Sequence, residues 1–327
     1  MTRSKKLIRR AAASPRGGWQ WPILVAVMSV IAGCGTVTSV GRASSTPPPV
    51  TSSSQPTAPS PKSATESAPS PQAPSNCPAV AAGFDCDFQQ RFEAAQAYLA
   101  SRPGLVGVVV RDRQTGAVWR TGAADTAMWT ESTIKLAMTV DLLVRNDAGK
   151  ISLTSADRTL IQRMLHSSND DAADSLWFKY AGPDTMAFNR DFGDYGMTSL
   201  VPQRGYSNTF PYWGFQKCTP NDLDRLVNYV LDHLPANTRN YIVDQLSAVD
   251  PDQQWGVWAA GPAASPGNKD GWGAEDDGWV MNTVGWVGPS QRYTLAVMNE
   301  LRGHGGEEDG RTTDSHLAQL LFTGRFP

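Results

Sequence analysis

The stretch "MWTESTIKLAMTVDLLV", residues 128–144, places a serine and a lysine one helical turn apart in an otherwise almost wholly apolar segment. At 100° per residue, Ser132 and Lys135 share one side of the predicted helix, and apolar residues also occupy the opposite side. A helix that is apolar nearly all round is buried, so we expect Lys135 to be buried too. A buried ammonium group is costly unless it is paired, neutralised or used. Either Lys135 reaches solvent along the helix surface, or it serves the serine as a base.

The composition is that of an ordinary globular protein. The 327 residues carry a formal net charge of −2, with 18% charged and 40% hydrophobic residues, enough for one large domain or two modest ones. Basic residues are scattered, so we expect no nucleic-acid partner. The four histidines show no metal-ligand spacing, and no glycine-rich phosphate loop is present. We therefore expect no metal and no other cofactor.

The N-terminal 34 residues have the layout of an export signal. Basic residues precede the apolar run "WPILVAVMSVIAGC", which is short for a membrane span. The run ends in IAGC, residues 31–34, which resembles a bacterial lipobox, whose cysteine is lipidated and becomes the mature N-terminus. We expect a signal peptide over residues 1–34 and a lipid on Cys34 that holds the protein at the extracytoplasmic face of the cell membrane. An uncleaved anchor or a chance cysteine is the alternative.

The segment that follows differs sharply in composition from the rest of the chain. Residues 35–76 are mainly Ser, Thr, Pro and Ala and offer almost nothing to bury, which predicts a disordered tether. The folded domain is predicted over residues 77–327.

Three cysteines remain once the lipidated one is set aside, so at least one thiol is left over. An exported protein can form disulfides. Proximity alone favours Cys77 with Cys86 over a pairing that involves Cys218, and nothing else in the sequence decides the point.

The order of predicted elements indicates an α+β fold with two lobes. A helix and a hairpin around Gln114–Gly116 come first, a block of helices follows, and a second hairpin around Gly288 and Pro289 precedes a final helix. The Pro220 helix has Thr219 as its predicted N-cap. We expect the late strands to join the first hairpin in one antiparallel sheet, with the helical block as a second lobe. A site between the lobes would have the Ser132 helix as its floor.

Three motifs, in this order, resemble those of class A β-lactamases and penicillin-binding proteins. Ser132-Thr133-Ile134-Lys135 resembles the Ser-x-x-Lys element, which alone is uninformative because chance supplies it readily. "MLHSSNDDAADSLW", residues 164–177, resembles the Ser-Asp-Asn loop and its helix, and "PGNKDGWG", residues 266–273, resembles the Lys-Thr-Gly strand. The resemblance covers residues 86–327 and implies a class A β-lactamase-like α+β fold.

The resemblance also implies roles for individual residues. A serine hydroxyl is a poor nucleophile without a base, and Lys135, one turn along the helix, would supply that base to Ser132. Burial beside a second cation, Lys269, would lower the pKa of Lys135. Ser168 would relay the proton to the departing nitrogen. The backbone N–H groups of Ser132 and Trp272 would form the oxyanion hole.

The substrate-binding positions depart from the family pattern. Asp270, before Gly271, replaces a hydroxyl residue that helps to bind the substrate's carboxylate, and it would repel an anion unless neutralised. Asp170 replaces an asparagine that donates to the substrate, and an ionised aspartate only accepts hydrogen bonds.

A second alignment of the middle motif is possible. Shifting it by one residue gives Ser167-Ser168-Asn169, which restores the asparagine but breaks the match to the helix that follows. The relay is therefore Ser168 or Ser167, and we favour Ser168.

A carboxylate is missing where class A β-lactamases use one. Their acyl-enzyme is released by a water that a glutamate activates, in a loop before the Thr-Pro helix. The corresponding residues 197–218 contain no Asp or Glu. Asp191 and Asp194, just upstream, are interpreted as the exposed end of a helix. We therefore expect acylation to proceed and deacylation to be slow.

Aromatic residues crowd the predicted cleft. They either fill a small core or form a platform for an uncharged or sugar-containing ligand. They are Tyr206, Phe210, Tyr212, Trp213, Phe215, Trp272 and Trp279.

These observations predict a membrane-tethered serine hydrolase or acyltransferase of the β-lactamase and penicillin-binding-protein type. Its substrate would be an amide or ester of the cell envelope, such as a peptidoglycan-like molecule, and its turnover of β-lactams slow or absent. Two alternatives stay open: a non-catalytic binding or scaffold lipoprotein with the same fold, and a genuine class A β-lactamase.

Overall fold

A computed structural model of the protein describes residues 80–327, which lie within one compact unit of the chain. The predictions for the signal peptide, for Cys34, for the tether over residues 35–76 and for Cys77 concern residues outside this range. The pairing of Cys77 with Cys86 therefore stays a prediction.

The described residues form helices and strands in the predicted order of helix, hairpin, helical block, strands and helix. The α-helices are α1 Cys86–Ala100, α2 Ile134–Asp147, α3 Ser155–His166, α4 Asp170–Tyr180, α5 Ala187–Asp191, α6 Pro220–Asp232, α7 Ala236–Leu246 and α8 Glu307–Phe322. The strands are β1 Leu105–Asp112, β2 Val118–Gly122, β3 Met128–Trp129, β4 Val201–Pro202, β5 Gln216–Cys218, β6 Gly267–Glu275, β7 Gly278–Val287 and β8 Tyr293–Glu300.

The central sheet has five antiparallel strands in the order β2-β1-β8-β7-β6. Val109 of β1 lies opposite Ala296 of β8, and Lys269 of β6 lies opposite Val284 of β7. The late strands therefore join the first hairpin in one sheet, and the predicted α+β fold is confirmed. Strand β6 is at the edge of this sheet, so one side of its backbone faces away from the ladder.

Strand β1 shows why a valine run belongs at the centre of the fold. Val108 and Val110 pack in the cluster that contains Phe88 of α1 and Leu317 of α8. Val109 points to the other face, into the cluster of the helical lobe. Alternate side chains of a strand lie on opposite faces, so a strand covered on both sides is apolar throughout.

The helical lobe is built around α2, as its apolar sequence predicts. Residues 134–143 are all buried, including Lys135 and Asp141. Helix α6 begins at Thr219, whose side chain forms a reciprocal capping box with Asp222, and Pro220 is at its start. A small second sheet in the order β3-β5-β4 was not predicted, because its strands are only two or three residues long.

Three further findings concern residues 80–327 alone. None of their helices has the length and apolar character needed to cross a bilayer. No group of three or more His, Cys, Asp or Glu side chains within this range is placed to hold a metal ion. Cys218 is a buried free thiol, and burial raises its pKa.

Candidate active site

Ser132 lies in a short 3-10 turn, Glu131–Thr133, that leads directly into α2. Asn282 of β7 ties this segment to the sheet: its side-chain amide donates to the carbonyl oxygens of Trp129 at 2.8 Å and Thr130 at 3.1 Å. The nucleophile is therefore held by a buried connection between the two lobes.

Gly271 allows strand β6 to pass close to this turn. A Cβ atom at position 271 would lie 2.7 Å from the backbone nitrogens of Ser132 and Thr133, a distance that side-chain carbons do not tolerate. The small residue that the sequence comparison treated as part of a substrate-binding motif is needed for this approach. Because β6 approaches so closely at Gly271, the backbone of the neighbouring Trp272 also lies near the start of α2.

Lys135 is completely buried, and its ammonium group contacts Ser132. Nζ lies 2.8 Å from Ser132 Oγ and donates to the carbonyl oxygen of Ser168 at 2.6 Å. It also lies 2.5 Å from Asp170 Oδ1. These contacts rule out a side chain that reaches solvent along the helix. Burial lowers the pKa of Lys135, while the charge of Asp170 opposes that shift.

Ser168, rather than Ser167, occupies the relay position. Its Oγ accepts a hydrogen bond from Lys269 Nζ at 2.9 Å and lies 3.3 Å from Lys135 Nζ. Ser167 instead donates to the carbonyl oxygen of Arg163 and is exposed. A backbone φ of +55° at Ser168 turns its side chain towards the lysines. Asn169, the alternative third residue of the motif, caps α4 through its side chain.

Lys269 is the second cation that the sequence predicted. It is buried, and its Nζ donates to Ser168 Oγ and, at 2.7 Å, to the carbonyl oxygen of Asp270. Burial and the neighbouring charge of Lys135 lower the pKa of Lys269 to about 7. The two lysines therefore contact one hydroxyl group, and each disfavours the charged form of the other.

Asp270 does not take the position that the sequence predicted for it. Side chains alternate along a strand, and Lys269 points towards Ser168, so Asp270 points to the opposite face. Its carboxyl group is buried there, near Arg311 and Asp314 of α8, and burial raises its pKa to about 8. Contact with a substrate bound at Ser132 does not fit this position. The cause is strand alternation, which the motif comparison did not consider.

Two carboxyl groups that the sequence analysis did not consider lie beside the nucleophile. The Glu131 carboxyl group fills the space above Gly273, where a Cβ atom would lie 2.4 Å from Glu131 Oε2. Burial, and next the Glu275 carboxylate, raise the pKa of Glu131 to about 8. Glu275 shares the strand face of Lys269 because their positions in the strand differ by six, an even number. That spacing is the one signal in the sequence that points to Glu275.

Trp213, one of the carboxylate-free residues 197–218, lies over Lys135. Its ring centroid lies 4.6 Å from Lys135 Nζ, and its Nε1 donates to Asp174 at 2.7 Å. The ring face attracts a cation and so favours the ammonium form of Lys135. The charges of the upstream Asp191 and Asp194 act instead on Asp141 and Tyr229, respectively, and raise their pKa values.

The other aromatic residues are divided between core and surface. Phe215 is buried, whereas Tyr206 and Phe210 are exposed. Trp272 and Trp279 pack beside Trp255 on the sheet face that points away from Ser132. The predicted crowding of the cleft is therefore wrong for these two tryptophans, whose side chains alternate with those that face the site.

The comparisons with known proteins name β-lactamases, which agrees with the three motifs. The family described as "Beta-lactamase enzyme family" matches residues 90–156, which include Ser132 and Lys135. A protein of Mycobacterium tuberculosis and Mycobacterium bovis, named "Putative lipoprotein LppW", is 26% identical over 266 residues, covering 77% of this chain and 79% of the relative.

Solved structures of class A β-lactamases share the fold. An ancestral class A β-lactamase has a TM-score of 0.58 at 20% identity, covering 71% of this chain and 98% of that chain. The β-lactamase of Sphaerobacter thermophilus has a TM-score of 0.59 at 19% identity, covering 75% and 100%. A class A representative from Bacteroides cellulosilyticus has a TM-score of 0.60 at 14% identity, covering 72% and 97%.

The chain therefore has the class A β-lactamase fold. The resemblance to class A β-lactamases that was based on the three motifs is confirmed, and the relative in mycobacteria is named a lipoprotein.

Proposed function

We propose that this protein is a serine hydrolase or acyltransferase that forms an acyl-enzyme at Ser132, on an amide or ester of the cell envelope. The observation that carries the proposal is the distance of 2.8 Å between Lys135 Nζ and Ser132 Oγ, in a buried site where Ser168 connects Lys135 to Lys269. A buried lysine with a lowered pKa beside a serine hydroxyl is the arrangement that activates such a nucleophile.

The residues would act in the following order. Lys135 takes the proton from Ser132 Oγ, which attacks the carbonyl carbon of the substrate. The N–H groups of Ser132 and Trp272 stabilise the oxygen anion that forms. Ser168 donates its proton to the departing nitrogen or oxygen and regains one from Lys135. The acyl group is left on Ser132, and Lys135 is again neutral.

The location of the protein is part of the proposal. The relative named a lipoprotein supports a membrane-anchored, exported protein. The lipid on Cys34 would hold the domain at the extracytoplasmic face of the membrane, where a peptidoglycan-like substrate is present.

Anionic β-lactams should react slowly at this site. Asp170 places a carboxylate beside the nucleophile, with Oδ1 2.5 Å from the Lys135 nitrogen that contacts Ser132. A carboxylate on the ligand would meet like charge there, which disfavours binding and acylation. A neutral or cationic substrate would not meet this repulsion.

The test is the intact mass of the full chain, purified in detergent, after incubation with a panel of penicillins and with the neutral ester p-nitrophenyl acetate. The Ser132→Ala variant is the control. We expect an adduct, or hydrolysis, in the parent that is absent from the variant. Rapid penicillin consumption that depends on Ser132 would instead identify a genuine class A β-lactamase.

A non-catalytic binding or scaffold protein is the second candidate, and the Lys135–Asp170 ion pair favours it. The carboxylate stabilises the ammonium form of Lys135, which cannot accept a proton. Equal behaviour of the parent and of Ser132→Ala with every probe would establish this candidate and reject the acyl-enzyme.

A further inference from the structure

An acyl-enzyme at Ser132 needs a base for its hydrolysis, and the structure offers one outside the loop that class A β-lactamases use. Residues 197–218 contain no Asp or Glu and present the ring of Trp213 to Lys135. Asp170, at the start of α4, is the carboxylate that contacts Lys135 directly, with Oδ1 2.5 Å from Nζ.

The distances place Asp170 within one water molecule of the nucleophile. Ser132 Oγ and Asp170 Oδ1 lie 2.8 Å and 2.5 Å from the same Lys135 nitrogen. The distance between the two oxygens is therefore at most the sum of these two distances. A single water that is hydrogen-bonded to both spans about 5.5 Å, and a general base can act at that range through the water that it activates.

Exposure and position also suit a base that works on water. The Asp170 side chain is 73% exposed, whereas Lys135 is completely buried, so solvent reaches the carboxylate. Asn169 caps the helix immediately before Asp170. The base would thus be held by the end of a regular helix and not by a flexible loop.

The other carboxyl groups near Lys135 are less suited to this role. Asp174 accepts hydrogen bonds from Tyr212 Oη at 2.5 Å and from Trp213 Nε1 at 2.7 Å. Glu131, with its pKa raised to about 8, is largely protonated at neutral pH, and a protonated carboxyl group is a poor base for water.

We propose that Asp170 is the general base that activates the hydrolytic water for the acyl-Ser132 intermediate. The inference rests on the proposed function. The water oxygen attacks the acyl carbonyl carbon while its proton passes to Asp170, and the bond from that carbon to Ser132 Oγ then breaks. The proton moves from Asp170 through Lys135 Nζ to Ser132 Oγ, which leaves a free carboxylic acid and the original serine.

Asp170 would also help to select the substrate. The negative charge of its carboxylate repels an anionic ligand during acylation. With a neutral acyl group there is no such repulsion, and the carboxylate acts only as the base for hydrolysis. Acylation, and not deacylation, would then limit the turnover of penicillins.

The test follows both steps with p-nitrophenyl acetate on the full chain in detergent. In Asp170→Asn we expect the initial release of p-nitrophenol to persist, while the steady-state rate falls by about 100-fold or more, the usual contribution of a general base. An acetyl adduct on Ser132 should then accumulate in the intact mass spectrum. Asp170→Glu should restore part of the steady-state rate.

Asp171→Asn is the matched control, because Asp171 is the next residue of the same helical turn and is exposed. It should behave like the parent in both steps. Deacetylation of Asp170→Asn at the parent rate would overturn the inference, as would a loss confined to acylation. Absence of any Ser132-dependent reaction in the parent would reject the proposed function itself and this inference with it.

Discussion

Lys135 and Asp170 form an ion pair of unequal exposure: the lysine side chain is completely buried, the aspartate side chain is 73% exposed, and 2.5 Å separates Nζ from Oδ1. A buried charge is thus compensated by a partner that remains hydrated. Removing the lysine would leave no uncompensated charge in the interior, which is the usual reason why breaking a buried ion pair is severely destabilising.

Lys135→Met should therefore abolish the chemistry while sparing the fold. We expect acylation by p-nitrophenyl acetate to fall by at least about 100-fold. The free energy of unfolding should fall by no more than about 3 kcal/mol, because the carbonyl oxygen of Ser168 loses its donor. Burst kinetics and urea unfolding measure the two effects. Lys150→Met, at an exposed lysine, is the control, and acylation at the parent rate in Lys135→Met would contradict the role of this lysine.

Glu131 should make the site less tolerant of anions as the pH rises. Its pKa of about 8 means that it is neutral below that pH and negative above it. In the parent, the rate of acylation by penicillin relative to p-nitrophenyl acetate should fall roughly 5-fold across this range, the effect of about 1 kcal/mol of repulsion.

The Glu131→Gln variant removes that titration, so the same ratio should change much less with pH. Burst rates at about pH 6.5 and about pH 9 provide the measurement. Glu308→Gln changes an exposed glutamate and should follow the parent. An unchanged pH profile in Glu131→Gln would mean that the Glu131 carboxyl group does not influence the ligand.

Asp270 should reduce the stability of the protein as the pH rises. Burial raises its pKa from 3.8 to about 8, so between these values the folded state holds a proton that the unfolded state has lost. Its contribution to stability is therefore complete at low pH and is lost towards pH 8. Side-chain hydrogen bonds from Thr283 and Asn268 and the charge of Lys269 oppose this rise of the pKa, but burial outweighs them.

The free energy of unfolding of Asp270→Asn, relative to that of the parent, should rise by about 1–2 kcal/mol between about pH 4.5 and about pH 6. The parent loses this stability as the pH rises, and the variant does not. That window lies below the range where Lys269 titrates. Urea unfolding of the variant and the parent at these two pH values measures the gain. Asp277→Asn, at an exposed turn residue, should show no such gain, and a constant difference between Asp270→Asn and the parent would show that Asp270 does not titrate as described.

Trp213 should set the pH at which Lys135 becomes a base. The ring face stabilises the ammonium form, typically by about 0.5–2 kcal/mol. Trp213→Leu should therefore shift the acid limb of the acylation rate to lower pH by roughly half a unit to one and a half units. Trp213→Phe keeps a ring face but also loses the hydrogen bond to Asp174, so it separates the two effects. Equal pH profiles for the Leu and Phe variants would assign the shift to that hydrogen bond.

Much of the fold was predictable because its signals are local. The apolar residues around Ser132 and Lys135 indicate a buried helix, and α2 is buried over residues 134–143. The cap at Thr219 and the hairpin around Gly288 and Pro289 have short-range causes in the same way. The order of these elements then leaves few ways to pair the strands, and the five-stranded sheet follows.

The composition of the site was less predictable. A motif names residue types in order, but it does not say which face of a strand each one occupies. The motif places Asp270 at the substrate, but the alternation of side chains along the strand puts it on the face opposite Ser132. Glu275, which no motif includes, lies on the face that reaches the site.

The sequence by itself determined the buried helix with Ser132 and Lys135 one turn apart, since helical geometry alone brings i and i+3 to one side. Only the tertiary structure decided that Ser168 is the hydroxyl between the two lysines, and that Asp170 and Trp213 both contact Lys135. Those contacts join segments that are far apart in the chain. They depend on how the helical lobe packs against the edge of the sheet, and that packing is the sum of many weak contacts that no short motif records.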